Sequence, residues 1–150
     1  VLSTAGRNPS AVMFLPRHPG VWEVVAMDAK ELGRAGEDFA AAWFQEREGV
    51  ILERNWRTRQ GELDLLVLDA DGSLVAVEVK TRSGDGFGHP AESVSRDKLM
   101  RLHRLLRAYA DGEGGCEWSF TPRRVDVLAL VWPSGAGGPI SVEHYRGVSA

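Results

Sequence analysis

Two strand-like runs in this chain carry charge inside apolar sequence: Gly61-Glu62-Leu63-Asp64-Leu65-Leu66-Val67 and Val75-Ala76-Val77-Glu78-Val79-Lys80-Thr81-Arg82. Side chains alternate across a strand. Glu62 and Asp64 therefore share one face of the first run, and Glu78, Lys80 and Arg82 share one face of the second. Unpaired charge is expensive to bury in such a setting. The cost is tolerated where the charges bind something. An acidic pair beside Glu-x-Lys points to a divalent metal held by carboxylates, with an ammonium nearby to meet an anion or a water. The competing reading is a cross-strand ladder of ion pairs on a solvated face, each contributing at most about 1 kcal/mol. Apolar flanks on both runs argue against full solvation.

The pattern around these runs predicts an α/β fold. Asp28 to Glu48 reads as a helix, with Leu32, Ala35, Gly36, Phe39 and Trp43 on one face, Asp28 as N-cap and Gly49 just past its end. Glu37 sits at the margin of that apolar face, where a carboxylate can lie half buried and reach a sheet. Val50 to Thr58, Glu62 to Leu68 and Ser73 to Thr81 read as three strands. Gln60-Gly61 and Asp69-Ala70-Asp71-Gly72 turn between them, giving an antiparallel meander. Ser83 to Pro90 is a glycine-rich loop directly after Lys80 and Arg82, of the kind that orders on a ligand. Ser95 to Ala110 is a second helix with Leu99, Leu102, Leu105, Leu106 and Tyr109 as its stripe. Strands follow at Arg124 to Trp132 and Ile140 to Tyr145. The order is α-β-β-β-α-β-β, with helices flanking a central sheet.

At 150 residues the chain is long enough for one domain with a real core. Residues 1–26 contain Asn8-Pro9, Leu15-Pro16 and His18-Pro19-Gly20 and hold no sustained period, so they read as a disordered N-terminal extension or leader. The alternative is that Val21 to Val25 adds an edge strand. The domain is placed at 27–150. One cysteine, Cys116, excludes an internal disulfide framework and fits a reducing, cytoplasmic setting. No apolar run approaches the roughly 20 residues of a membrane span. A net charge of -3 argues against a generic nucleic-acid coat but leaves a nucleic-acid enzyme open, because local charge matters more than the total.

Asp64, fourteen residues before Glu78-Val79-Lys80, resembles the acidic signature of the restriction-endonuclease-like nucleases. A fuller set of segments resembles the YraN family of small bacterial proteins, related to archaeal Holliday-junction resolvases. It comprises Gly36-Glu37, Arg54-Asn55-Trp56-Arg57, Gly61-Glu62-Leu63-Asp64-Leu65, Val77-Glu78-Val79-Lys80-Thr81-Arg82, the Gly86-Phe87-Gly88 loop, Lys98 and Arg124-Val125-Asp126-Val127. The resemblance implies a restriction-endonuclease-like sandwich and Mg²⁺- or Mn²⁺-dependent cleavage of phosphodiesters in DNA, branched or single-stranded forms included. RNA is a further candidate, and a homodimer is implied by analogy with resolvases that make paired cuts. By position, Asp64, Glu78 and Glu37 would bind the metal and Lys80 would position water or phosphate. The superfamily's proline before the first acid is replaced by Leu63.

Basic residues flank this acidic set: Arg54, Arg57 and Arg59 precede it, and Arg96, Lys98, Arg101, Arg104 and Arg107 line the second helix. Arg57, Arg59, Arg82, Lys98 and Arg101 are the expected nucleic-acid contacts, against the plainer reading of a solvated face. Glu62 is either a supporting acid or a strand cap. Asp126 reads as structural, paired with an arginine. Trp43, Trp56 and Trp118 read as core. The four histidines show no ligand spacing. A non-catalytic nucleic-acid-binding module on the same scaffold is the alternative function.

Overall fold

Helix α1, Ala29–Gln45, begins where Asp28 and Glu31 cap one another. The Glu31 N–H donates to the Asp28 carboxylate at 2.8 Å, and the Asp28 N–H donates to the Glu31 carboxylate at 2.9 Å. The helix buries Ala40, Ala41 and Phe44. Its exit differs from the expectation at Gly49, since Glu48 takes the left-handed conformation at φ 65°. A β-carbon is disfavoured there by about 1 kcal/mol. Glu48→Gly is therefore expected to stabilise the fold by roughly 0.5–1 kcal/mol in urea unfolding. A loss of stability would show that the Glu48 side chain contributes more than its backbone costs.

The computed structural model describes residues 13–18, 21–25, 27–84, 94–113 and 118–149. Within the segment expected to be an extension, β1 (Met13–His18) and β2 (Val21–Val25) form a separate antiparallel pair, with Phe14 opposite Val24. Val21–Val25 is thus a strand, but it does not join the edge of the main sheet. Pro16 fits an outer strand of this kind, where a ladder donor is dispensable.

The main sheet has five strands in sequence order: β3 (Val50–Thr58), β4 (Gly61–Leu68), β5 (Leu74–Arg82), β6 (Arg123–Val131) and β7 (Ser141–Tyr145). β3, β4 and β5 are the predicted meander. β6 runs parallel to β5 after a crossover through α2 (Arg96–Ala108), and β7 returns antiparallel. Ser95 caps α2 rather than opening it. The helix also does not stop at Ala110 but widens into a π turn at Tyr109–Glu113, which puts the consecutive Tyr109 and Ala110 both in the core.

Each face of the sheet is covered by one helix, which explains the long apolar runs of β4, β5 and β6. Leu65, Val67, Val75, Val77, Leu128 and Leu130 pack with Ala40, Ala41 and Phe44 of α1. On the other face Leu66, Leu74, Ala76 and Val125 pack with Leu99, Leu102, Leu105 and Leu106 of α2. This is the restriction-endonuclease-like α/β sandwich. Trp56 lies in the second layer, edge-on to Tyr109 at 5.4 Å, and Trp118 packs against the same cluster. Trp43 packs beside the first layer, with the Arg47 guanidinium 3.3 Å from its ring centre. All three tryptophans serve packing. Among the described residues no helix is long and apolar enough to cross a membrane.

Candidate active site

β4 and β5 pair from Leu68↔Leu74 only as far as Leu65↔Val77. One step further along this register, Asp64 lies opposite Glu78. The strands part there, and the Val79 N–H finds a carboxylate instead of a ladder carbonyl, donating to Asp64 Oδ2 at 2.8 Å. On β5, Val75 and Val77 face α1 while Leu74 and Ala76 face α2. Alternation therefore sends Glu78 and Lys80 toward α2. It sends Thr81 toward α1, where a β-carbon on Gly36 would come within 1.9 Å of Thr81 Oγ1. Glycine at 36 lets α1 sit directly on β5, which brings Glu37 beside the gap.

Glu78 is 2% exposed. Lys80 Nζ lies 2.8 Å from its Oε1, and Lys98 Nζ, from the first turn of α2, lies 3.2 Å from its Oε2. The Lys98 contact is an ion pair out of line for a hydrogen bond, so Oε2 is buried without a hydrogen-bond partner. Asp64 is pushed up from the ordinary 3.8 to about 7. Burial is the main cause and the Glu78 charge the next; Glu37 adds to the rise, while the Val79 N–H and Lys98 oppose it. Asp64 thus feels the charges of Glu78, Glu37 and Lys98. Glu37 is itself held by Asn55, whose Nδ2 donates to Glu37 Oε2 at 3.2 Å.

The structure brings together Asp64, Glu78, Lys80 and Lys98, with Glu37 at the flank. Lys98, expected as a nucleic-acid contact, points instead at the Glu78 carboxylate. Among the described residues no three His, Cys, Asp or Glu side chains are grouped closely enough to hold a metal ion by themselves. Asn55 was not anticipated. It takes a left-handed φ of 51° in the middle of β3, and asparagine is both depleted in strands and tolerant of that conformation, which was the available signal.

The expected nucleic-acid residues divide. Arg57 pairs across β3–β4 with Glu62 at 2.9 Å and is otherwise exposed, so Glu62 serves this pair. Arg59 is exposed in the β3–β4 turn. Arg101 lays its stem over Gly61, at φ 145°, where a β-carbon would lie 3.0 Å from Arg101 Cδ. These three arginines gather at the start of β4, the end that leads to Asp64. Arg82 continues the Lys80 side of β5 to the strand's end, and its carbonyl accepts from the Trp132 N–H at 2.7 Å. Arg107 is drawn aside to Asp111, which also meets Arg123. The loop after Ser83-Gly84, with His89, and Cys116 lie outside the described residues.

Asp126 is fully buried and structural, as expected, with more partners than one arginine. His144 Nε2 lies 2.8 Å from it, and Arg124 Nε and the Gly147 N–H each donate to it at 3.0 Å. Arg124 also bonds Asp69 and Asp71 of the β4–β5 turn, and Arg146 joins the same two acids.

A model of the family described as "Uncharacterised protein family UPF0102" matches residues 36–130. The UPF0102 protein of Pseudarthrobacter chlorophenolicus is 48% identical over 124 residues, covering 82% of this chain and 89% of its own. That of an Arthrobacter species is 48% identical over 123 residues, covering 81% and 99%. The Streptomyces griseus protein is 43% identical over 118 residues, covering 79% and 95%. The matched span runs from Gly36 on α1 into β6 and so encloses Glu37, Asp64, Glu78, Lys80 and Lys98. The chain belongs to the UPF0102, or YraN, family.

Proposed function

We propose that this protein is a Mg²⁺- or Mn²⁺-dependent nuclease that hydrolyses phosphodiester bonds in DNA. The observation that carries this reading is the meeting of Asp64 and Glu78 where β4 and β5 part, with the Lys80 ammonium 2.8 Å from Glu78. The donor set suits a hard cation: carboxylate oxygens only, one of them (Glu78 Oε2) buried with no hydrogen-bond partner. Mg²⁺ takes one or two carboxylates and keeps several waters, so Asp64 and Glu78 suffice as ligands, with Glu37 on the flank. When bound, such an ion lowers the pKa of a coordinated water and offsets charge on the phosphate.

The chain's own residues do the rest. Lys80 has three donors on Nζ; the contact with Glu78 aims the group into the gap and leaves donors for an attacking water or a phosphate oxygen. Arg57, Arg59 and Arg101 at the start of β4 supply positive charge for the DNA backbone, which makes binding salt-dependent. Arg82 extends the Lys80 face toward the same backbone. Two such sites in a homodimer would suit a branched junction, which needs two cuts.

With Mn²⁺ or Mg²⁺, the purified protein is expected to cleave at least one of duplex, single-stranded, flap and four-way-junction DNA. Lys80→Ala is expected to lower the rate by about 10²–10³-fold, and Glu78→Ala to abolish cleavage. Cleavage that survives both substitutions overturns the proposal. A second reading, a non-catalytic nucleic-acid-binding module, draws support from the lysines facing both Glu78 oxygens. It predicts DNA binding with no calorimetric Mn²⁺ site sensitive to Glu78→Ala.

A further inference from the structure

The nuclease reading employs Lys80 but leaves Lys98 unexplained. The Lys98 N–H donates to Ser95 Oγ at 3.2 Å, which fixes the residue in the first turn of α2, over the sheet face that carries Glu78. A carboxylate as buried as Glu78 needs polar or cationic partners around it. Lys80 meets that need at 2.8 Å and Lys98 doubles it at 3.2 Å. The second contact is the poorer one, since it leaves Oε2 without a hydrogen bond. Its length and poor alignment also make it the easier one to break, since the two lysines are equally exposed, Lys80 at 32% and Lys98 at 31%. The Lys98 side chain has solvent to swing into, whereas Glu78 has none. Oε2 is therefore a buried oxygen faced by a removable cation, on the side of Asp64 that already feels the Lys98 charge.

We infer that Lys98 is a place-holding counter-ion: it neutralises Glu78 in the metal-free protein, competes with the divalent cation for Oε2, and is released toward the substrate phosphate when the cation binds. This rests on the metal site of the proposed nuclease and adds its regulation. Loading the site and freeing a phosphate-binding ammonium become one event, so the site is completed only when it is charged with metal. Lys98 is a positioning residue in this scheme, acting on Glu78 before substrate arrives.

The test is Mn²⁺ titration by calorimetry at fixed pH on the full chain and on Lys98→Met, with urea unfolding of both in EDTA. The variant is expected to be less stable without metal and yet to bind Mn²⁺ about five-fold tighter, as follows from removing a competing ion pair of about 1 kcal/mol. Lys98→Arg, which keeps the charge, is expected to stay near the wild-type affinity. A merely structural lysine would weaken metal binding when lost, and a pure phosphate contact would leave it unchanged. Either result in a folded variant overturns the inference. Should Lys98→Met not fold in EDTA, Lys98→Gln, which keeps a donor for Oε2, carries the same titration. Absence of Mn²⁺ binding in every form, wild type included, overturns the metal site and the inference together. Wild-type binding with unaltered affinity in the variant overturns the inference alone.

Discussion

Asp126→Ala is expected to cost about 3–5 kcal/mol of folding stability, the range for removing one partner from a buried ionic network. The carboxylate is 0% exposed and collects donors from three places: Arg124 on its own strand, His144 on β7, and the Gly147 N–H beyond β7. Its loss leaves the Gly147 N–H without its partner and takes from Arg124 one of its three acids. Burial alone would raise the Asp126 pKa, but the bonds from His144, Gly147 and Arg124 outweigh it and hold the group below the ordinary carboxylate range. A depressed native pKa contributes stability that is present at neutral pH and lost as pH falls through the native value. The wild type should therefore lose its advantage over Asp126→Ala in strong acid, below about pH 4. His144→Ala, which leaves the Arg124 bond intact, is expected to cost less. Urea unfolding of the three proteins measures this ordering. A cost under about 1 kcal/mol for Asp126→Ala would mean that the network is ornamental, as exposed ion pairs usually are.

The elements of this domain were legible because its central strands are largely apolar and its turns chemically explicit. Val50–Thr58 is a strand over the bounds expected for it, and the Asp69-Ala70-Asp71-Gly72 turn behaves as read, with the Gly72 N–H donating to the Asp69 carbonyl at 2.9 Å. The parity argument for Glu78 and Lys80 also transfers directly, because alternation is a property of the strand itself. What was hidden depends on contacts between distant segments. Nothing in the period of β4 marks Asp64 as the point where pairing with β5 stops. Lys98 looked like one cation among several on a basic helix, and only the packing of α2 over β5 aims it at a carboxylate. The Arg124–Asp126 pair was visible as neighbours on one strand face, whereas Asp69, His144 and Gly147 reach it from other elements. Of the β1–β2 pair, Val21–Val25 was legible as a strand, whereas its partner Met13–His18 was hidden by a proline and by a register shift between Pro16 and His18.

Asp64→Asn is expected to leave stability almost unchanged in mild acid and to raise it increasingly as pH rises toward 8. In the wild type the native Asp64 holds its proton up to about 7, against 3.8 for an unperturbed side chain. A carboxyl that binds its proton more tightly in the folded than in the unfolded chain makes stability fall as pH rises. The penalty is absent below about pH 4 and complete above about pH 7. The asparagine keeps an oxygen for the Val79 N–H and cannot ionise, so it escapes the penalty. The two proteins should be nearly equal in urea unfolding near pH 4, and the variant should be ahead by a few kcal/mol near pH 8. Saturating Mn²⁺ at pH 8 is expected to raise the wild type's midpoint and leave the variant's almost unmoved, because ligation requires the ionised group. On that outcome the wild type would be giving up metal-free stability for a carboxylate that a bound cation repays. If the wild type instead equals or exceeds the variant at pH 8 without metal, Asp64 ionises there without cost. The two strands would then carry an ion-pair ladder open to water, and the chain would have no buried acidic hollow in which to hold an ion.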